Sequence, residues 1–333
     1  MILLDRRLSV APMMEWTDRH CRYLHRLFSP HALLYTEMIV STALVRGDAA
    51  RLLEHHAEEQ PLALQLGGCD PKELAQAARI GAAAGYAEIN LNVGCPSDRV
   101  QKGAFGACLM ADAGLVAECV ERMREAVDVP VTVKCRIGID ANEDYEFFAG
   151  FAHRMQAAGV AALIVHARIA ILGGLSPREN REVPPLKYDF VHRLKRERPD
   201  LVLVLNGGLN DAAQVLAHVR PERPGPALDG VMLGRAAYHR PRLLAELERS
   251  LIDAHWQVPA IETIIERMVN YARREAARGV RLHSITRHMH GLIAGCDGAR
   301  AWRRFLSEVA SRPDARPETL HAALPILNRR AAA

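Results

Sequence analysis

Residues 62–94 read LALQLGGCDPKELAQAARIGAAAGYAEINLNVG, and this stretch contains two strand-like runs separated by a helix-like one. The runs LALQLGG (62–68) and AEINLNVG (87–94) are short and nearly continuously apolar, which is typical of strands buried on both faces. Between them, PKELAQAARIGAAAG keeps its apolar residues at helical spacing. This order predicts two parallel strands joined by a helical crossover.

The same alternation of strand and helix recurs along most of the chain. Six further strand-like runs are LSVAPM (8–13), LLYTEM (33–38), VTVKCRIG (131–138), ALIVHAR (162–168), VLVLNGG (202–208) and GVMLGRA (230–236). Eight strands with helices between them favour an α/β fold of the TIM (β/α)8 barrel type over an open doubly wound sheet. After Pro241 the strand signals cease and only helical spacing remains. We therefore predict a barrel domain over 1–243 and a C-terminal all-α helical bundle over 244–333.

Length and composition set the broad class of the protein. The 333 residues are enough for one large domain and a small one. The chain has no apolar run of about 18 residues, and MILLDRRLSV carries charges where a signal peptide would be apolar. Seven cysteines, without a CxxC pair or zinc-ligand spacing, suggest reduced thiols. We expect a cytoplasmic, monomeric protein with no membrane segment and no metal.

The positive charge lies at the C-terminal end of the chain. Residues 244–333 contain fourteen Arg and no Lys against ten Asp plus Glu, which accounts for the whole net charge of +4. In ARAWRRFLSEVAS, helical spacing places Arg300, Arg303 and Arg304 on one face and Trp302, Phe305, Leu306 and Val309 on another. A basic face of this kind suits a polyanionic partner, and a solvated helical surface explains it about equally well.

Polar residues and glycines follow the predicted strands, where a TIM barrel has its active site. The residues at these ends are Pro12, Met13, Met14, Thr36, Glu37, Gln65, Asn92, Cys95, Lys134, Arg136, His166, Arg168, Asn206, Gly207, Gly208, Gly234 and Arg235. The glycine turns after the last two strands, beside a guanidinium, favour a site for the phosphate of a cofactor over two merely tight turns.

Lys134 is one of only five lysines, and it lies inside a strand-like run. Its ammonium could form a Schiff base, stabilise a reduced flavin, or form a structural salt bridge. His166 could donate to the same ring or to the substrate, although a histidine alone is more often a satisfied core residue.

Several segments together resemble the tRNA-dihydrouridine synthases, closest to the bacterial A-type enzymes that act on uridines 20 and 20a of the D-loop. The segments are VAPMMEWTDRHCR, LQLGG, EINLNVGCPSDRVQKGAFGACLM, VKCRIGID, VHAR, GLSPRENREVPPL, LNGG, LGRAAY and ITRHMHGLIAGCDGARAWRRFLSE. The resemblance runs from about Leu8 to Glu308. It implies an FMN-dependent TIM barrel, a helical tRNA-binding domain, and flavin reduction by NADPH.

The resemblance also implies roles for individual residues. FMN would be held by Pro12, Met13, Met14, Gln65, Lys134, His166, Asn206, Gly207, Gly208, Gly234 and Arg235. The tRNA would meet Asn92, Arg178, Arg181, Arg300 and Arg303. Cys95 would be the catalytic acid, on a loop whose Gly103 and Gly106 allow it to fold over the substrate.

A thiol suits the reaction that the resemblance implies. Reduction of the uracil C5=C6 bond needs a hydride at C6 and a proton at C5. An ordinary thiol, with a pKa near about 8.5, is mostly protonated at neutral pH and still acidic enough to release its proton. The resemblance therefore implies that Cys95 is an acid and not a nucleophile.

One segment departs from the family pattern. The family has Lys, Ala and an aromatic residue after HAR, whereas this chain has Ile169, Ala170 and Ile171. The change implies weaker RNA affinity or activity. Two alternatives stay open: a flavin-dependent small-molecule dehydrogenase of the dihydroorotate-dehydrogenase type, and a catalytically weakened tRNA-binding relative.

Overall fold

The computed structural model describes residues 4–220 and 227–328. Its strands are β1 (Leu8–Val10), β2 (Leu33–Val40), β3 (Leu62–Gly67), β4 (Glu88–Val93), β5 (Val131–Arg136), β6 (Leu163–His166), β7 (Leu203–Asn206) and β8 (Gly230–Leu233). Its helices are α1 (Arg19–Phe28), α2 (Ser41–Arg46), α3 (Ala49–Leu52), α4 (Pro71–Ala83), α5 (Asp98–Lys102), α6 (Ala113–Ala126), α7 (Tyr145–Ala157), α8 (Tyr188–Glu197), α9 (Ala212–Val219), α10 (Arg235–His239), α11 (Arg242–Leu251), α12 (Ile261–Ala276), α13 (Leu282–Thr286), α14 (Ala299–Glu308) and α15 (Leu324–Asn328). Four 3₁₀ helices cover Ala57–Glu59, Gly106–Ala111, Glu179–Arg181 and Pro317–Ala323.

The eight strands form a closed parallel barrel in chain order, with β8 paired to β1. The TIM barrel prediction is confirmed, and each predicted strand overlaps an observed one. Aspartate N-caps precede four of the helices between the strands. Asp70, Asp112, Asp144 and Asp211 each accept a hydrogen bond from a backbone N–H in the first turn of α4, α6, α7 and α9.

The barrel interior has an apolar part and a polar part. Residues that alternate along the strands form a packed apolar cluster of Ala11, Leu33, Tyr35, Ala63, Ile164, Val204 and Met232. Buried polar side chains of β3, β4 and β5 fill the rest, among them Gln65, Asn90 and Thr132. Each of these three is hydrogen-bonded to a neighbouring strand, as buried polar groups require.

The chain divides into two compact units. One contains 1–15 and 33–234, which is the barrel without the segment after β1. The other contains Trp16–Ala32 and Arg235–Ala333, so α1 joins the C-terminal helices. The proposed division of function at 243/244 stays a prediction, and its outermost residues, 1–3 and 329–333, lie outside the described ranges.

Within the second unit, contacts over long sequence distances hold α1 in place. Arg19 forms an ion pair with the buried carboxylate of Glu275 at 2.8 Å. The rings of Tyr23 and Tyr271 stack with their centroids 4.1 Å apart. Asp18, the N-cap of α1, also pairs with Arg287 at 2.6 Å. Because these partners come from α12 and the segment after α13, α1 belongs to the helical unit although it follows a barrel strand.

One predicted helix is wrong. The spacing in SITRHMHGLIAG predicts a helix over 284–295 with Ser284 as its N-cap, but α13 ends at Thr286 and a series of tight turns follows. A Cβ on Gly291 would lie 2.4 Å from the His239 carbonyl oxygen, so the backbones pass too close for a side chain. The Met289 carbonyl accepts a hydrogen bond from Trp302 Nε1 at 2.8 Å. These contacts with distant residues outweigh the local helical pattern.

Within 4–220 and 227–328, none of the helices has both the length and the apolar character needed to cross a bilayer. The same residues include no group of three or more His, Cys, Asp and Glu side chains arranged to hold a metal ion.

Candidate active site at the barrel mouth

The register of the parallel strands brings the predicted polar residues to one end of the barrel. Asn92 pairs with Lys134 across β4 and β5, and His166 pairs with Asn206 across β6 and β7. Arg136 at the end of β5 lies beside His166. Because all eight strands are parallel, these side chains share the carboxyl end of the barrel, where barrel enzymes have their active sites.

Hydrogen bonds hold the backbone of Cys95 on both sides. Asn92 Oδ1 accepts from the backbone N–H groups of Gly94 and Cys95, each at 3.0 Å. The Cys95 carbonyl accepts from the N–H of Ala107 at 2.9 Å. Gly106 (φ 82°) permits this close approach, since a Cβ there would lie 2.5 Å from the Cys95 oxygen. The thiol is partly exposed and lies 3.5 Å from the Ser97 hydroxyl.

Asn92 is itself oriented by a buried amide pair. Its Nδ2 donates to Gln65 Oε1 at 2.9 Å, and Gln65 Nε2 donates to Asn90 Oδ1 at 2.8 Å. Asn90 Nδ2 then donates to the Thr132 hydroxyl at 2.9 Å. Both ends of the Gln65 amide are therefore used within the barrel, in an arrangement that fixes the Asn92 side chain and the turn before Cys95.

The chain of hydrogen bonds continues to a buried carboxylate deeper in the barrel. Glu88 Oε1 accepts from Thr132 and from the Tyr35 hydroxyl, each at 2.6 Å. Glu88 Oε2 pairs with Arg6 at 2.6 Å. Burial and the adjacent Glu88 charge raise the pKa of Tyr35 well above its ordinary value, so Tyr35 stays a donor. With every polar group satisfied, this network can hold its shape in a low-dielectric interior.

Lys134 presents a cation at the mouth without a carboxylate partner. Its Nζ donates to Asn206 Oδ1 at 3.1 Å, and no described acidic side chain forms an ion pair with it. Burial, followed by the nearby Arg136 charge, lowers the pKa of Lys134 to about 8. A partly buried cation without a counter-ion favours an anionic group as its ligand.

Three further cationic side chains surround His166. Burial lowers the pKa of His166 well below its ordinary value, and the charges of Arg136, Lys134, Arg168 and Arg181 add to the effect. His166 is therefore neutral at pH 7 and can donate or accept a hydrogen bond. The positive charge around it again suits an anionic ligand.

The turn after β7 consists of two glycines, of which Gly207 is buried and Gly208 is exposed. Gly207 (φ 107°) and Gly208 (φ 70°) both adopt left-handed conformations. A Cβ on Gly207 would lie 2.6 Å from the His166 ring, and one on Gly208 would lie 2.7 Å from the Tyr188 hydroxyl. Only glycine fits at both positions, and at exposed Gly208 the backbone is open to a phosphate or a flat ring. These glycines, with a Lys134 ammonium that no described carboxylate neutralises, fit a phosphorylated flavin.

The other predicted cofactor residues follow β1 and β8 in the chain. Pro12, Met13 and Met14 follow β1, and Gly234 follows β8 with a Cβ position 3.8 Å from the Met13 sulfur. Met14 is 59% exposed, one of two large apolar side chains in the described residues that are so exposed. The other is Val183, in the loop between β6 and α8. Arg235 begins α10 and is the first residue of this part of the second unit.

The loop between β6 and α8 carries Arg178 and Arg181, both exposed. Arg178 makes a loose ion pair with Glu182 at 3.7 Å, and its side chain is 79% exposed. Ile169, in the segment that departs from the family pattern, is only 7% exposed. Its side chain is part of the core, so the replacement of a lysine here changes packing as well as charge.

Arg300 and Arg303 lie on α14 in the other compact unit, and both are exposed, as is Arg304. Trp302, Phe305 and Leu306 on the same helix are buried. The predicted division of this helix into an apolar packed face and a basic exposed face is therefore correct.

Sequence reasoning gave no role to Arg136, and it did not find the network around Glu88. Arg136 is 3% exposed and donates its hydrogen bonds to three backbone carbonyls. The sequence signal for a buried, hydrogen-bonded arginine is its position inside a strand-like run. That position does not indicate which groups accept its hydrogen bonds. Glu88 gives a similar signal, since a carboxylate begins a strand that is fully buried.

Comparisons with known proteins agree with this geometry. The model of the dihydrouridine synthase (Dus) family matches residues 9–327. A tRNA-dihydrouridine(20/20a) synthase of Xanthomonas campestris pv. campestris is 54% identical over 93% of this chain and 90% of its own length. The enzyme of the same name from Shewanella oneidensis is 52% identical over 96% and 93%. The structure of morphinone reductase in complex with tetrahydroNAD has a TM-score of 0.51 at 15% identity, over 78% of this chain and 90% of that one, a likeness of fold alone.

Proposed function

The chain belongs to the dihydrouridine synthase family, and we propose that it reduces uridine to 5,6-dihydrouridine at positions 20 and 20a of tRNA. FMN would be the cofactor and NADPH the electron donor. A tRNA substrate would place the protein in the cytoplasm. The observation that carries the proposal is the position of Cys95, held by Asn92 at the barrel mouth that also contains Lys134, His166 and the glycine turn.

The proposed cofactor site uses groups from several strands. The backbone of Gly207 and Gly208 would meet the phosphate, together with Gly234 and Arg235. Lys134 would lie against the pyrimidine edge of the flavin, where an ammonium offsets negative charge. Neutral His166 would supply a hydrogen bond, while Met13 and Met14 would contact the ring. Bound flavin would supply the hydride for C6 of the uracil.

Cys95 would give the proton to C5. Its thiol is partly exposed, and its backbone is fixed through Asn92 Oδ1, which leaves the side chain as the movable part of the turn. The Ser97 hydroxyl at 3.5 Å can accept from the thiol before the substrate arrives. Gln65, through its hydrogen bond to Asn92, would keep the turn in the geometry that proton transfer needs.

The proposed tRNA contacts lie on both units. Arg178 and Arg181 would meet phosphates beside the mouth, and exposed Val183 offers an apolar contact for a base. Arg300 and Arg303 would meet phosphates through α14. A uridine in folded tRNA must leave its stack to reach a thiol inside a barrel mouth.

The decisive experiment is the change Cys95→Ala. We expect normal flavin content and normal flavin reduction by NADPH, with oxidation of the reduced flavin by tRNA slowed about 100-fold or more. Cys108→Ala is the matched control, because that thiol donates to the Phe105 carbonyl and has no place in the reaction. Normal turnover by Cys95→Ala would refute the acid assignment. Reduced flavin that free orotate-type pyrimidines, with an intact C5=C6 bond, oxidise and tRNA does not would refute the RNA substrate.

A further inference from the structure

Arg136 connects the Cys95 loop to the loop between β6 and α8. Its Nε donates to the Gly94 carbonyl at 3.1 Å, and its Nη1 donates to the carbonyls of Ile169 at 3.1 Å and Asn180 at 2.9 Å. The side chain is buried and none of these acceptors is a carboxylate. One guanidinium therefore donates hydrogen bonds to backbone carbonyls of both loops.

Gln101 on α5 makes a second connection between the same two loops. Its Nε2 donates to the Pro96 carbonyl at 2.8 Å and to the Leu172 carbonyl at 2.8 Å. Pro96 directly follows Cys95, whereas Leu172 lies far along the chain in the loop after β6. The backbone on both sides of Cys95 is thus hydrogen-bonded to side chains that also hold the β6–α8 loop.

The β6–α8 loop is itself held together as one piece by Asn180. This side chain accepts from the backbone N–H of Ile171 at 2.8 Å and donates to the carbonyls of Ile171 at 2.9 Å and Leu175 at 3.2 Å. Asn180 is fully buried, while its neighbours Arg178 and Arg181 are exposed. A displacement of Arg178 or Arg181 would therefore also displace the loop carbonyls to which Gln101 and Arg136 donate hydrogen bonds.

We propose that Gln101 is a positioning residue that, together with Arg136, couples RNA contact on the β6–α8 loop to the placement of the Cys95 thiol. The role of RNA in this coupling rests on the proposed function. The connection between the two loops rests on the hydrogen bonds of Gln101 and Arg136. Docking of phosphates on Arg178 fixes the β6–α8 loop, and the shared donors fix the turn at Cys95 with it. Bound RNA would thus further restrict the turn that Gln101 and Arg136 already hold, and would keep the Cys95 thiol in position for proton transfer.

The test uses Gln101→Glu, an isosteric change that removes the Nε2 donor and places a carboxylate against the two carbonyls. Gln101 is partly exposed, so we expect the protein to fold. Gln76→Glu on the exposed side of α4 is the matched control, with the same change of charge away from the mouth. At saturating tRNA, Gln101→Glu should oxidise its reduced flavin roughly 10- to 100-fold more slowly than the control. Its tRNA affinity and flavin content should match the control.

A double-mutant cycle tests the coupling itself. Arg178→Ala should slow flavin oxidation at saturating tRNA in the parent protein and have a smaller effect in the Gln101→Glu background. Additive effects of the two changes would overturn the proposal, because they would show that Arg178 acts without this connection.

A third measurement separates this inference from the proposed function. The rate of alkylation at Cys95 by a small thiol reagent, followed by mass spectrometry on tRNA-free protein, should rise about 10-fold in Gln101→Glu because the turn is released. An unchanged rate would overturn the connection even if the enzyme modifies tRNA. If tRNA fails to oxidise the parent flavin, the proposed function is refuted, and the alkylation rate still decides whether Gln101 holds the turn.

Discussion

The change Lys134→Met should make the flavin-free protein more stable while it weakens flavin retention. Burial and Arg136 lower the pKa of Lys134 from 10.5 to about 8. Since one pKa unit is worth about 1.4 kcal/mol, the protonated ammonium costs the folded barrel up to about 3 kcal/mol. Loss of its hydrogen bond leaves Asn206 Oδ1 without a donor, at a cost of about 1–2 kcal/mol. The net gain on substitution should be about 1–2 kcal/mol at neutral pH.

The sign of the pH dependence follows from the lowered pKa. Below about pH 8 both the folded and the unfolded chain carry the proton, so the full cost of the buried charge is present. Between about pH 8 and pH 10.5 the folded protein loses the proton first, and the parent regains stability as pH rises. The advantage of Lys134→Met should therefore be largest at neutral pH and should shrink in alkaline buffer.

Urea unfolding of the flavin-free proteins at about pH 7 and about pH 9.5 measures this difference. Lys72→Met, on the exposed surface of α4, is the matched control and should show little change at either pH. Titration with FMN should show weaker binding to Lys134→Met alone. A Lys134→Met protein that is less stable than the parent at neutral pH, or whose advantage does not shrink with pH, would refute the reasoning.

Two further predictions concern the second unit and the departure from the family pattern. Changing Arg300 and Arg303 together to Ala should weaken tRNA binding and flatten the slope of log K against log[salt] by about 1–2 units, with thermal stability unchanged. The same double change at exposed Arg79 and Arg122 on the barrel helices is the control, and equal slopes for the two variants would show that α14 does not bind phosphates. Ile169→Lys should lower the free energy of unfolding by about 2 kcal/mol or more, because it places an ammonium where the parent side chain is 7% exposed. A stable Ile169→Lys protein with tighter tRNA binding would contradict this and would restore the lysine to a role in RNA contact.

The hydrogen bonds from Asn92 and to Asn90 give Gln65 a role beyond the one that the resemblance implies. Its amide is engaged at both ends, by Asn90 and Asn92. A contact between Gln65 and flavin must therefore use the second lone pair of Oε1 or the second N–H of Nε2. The larger effect of removing Gln65 should come from the freed Asn92, which holds the Cys95 turn.

Much of the site could be predicted because the strands of a parallel barrel all end on the same side, and their order in the chain is their order around the barrel. The end of each strand lies at the same mouth, so Cys95, Lys134, His166 and Asn206 could be grouped without knowing any distance. The partners of Arg136 and Gln101 could not be predicted, because their acceptors are backbone carbonyls, which every residue has. The placement of Ile169 in the core was missed because an apolar residue in a loop segment has no periodicity to identify its side.

The sequence by itself determined the eight strands and their parallel order, because short apolar runs alternate with segments of helical spacing. It also determined the amphipathic division of α14, which depends on apolar residues at a local period of 3.6. Tertiary structure alone decided that α1 packs with the helical unit, through Tyr271 and Glu275. It also decided that the segment after Thr286 turns instead of continuing as a helix. In both cases the stabilising partner lies at a sequence distance that no local pattern encodes, and the buried contact outweighs the intrinsic preference of the segment.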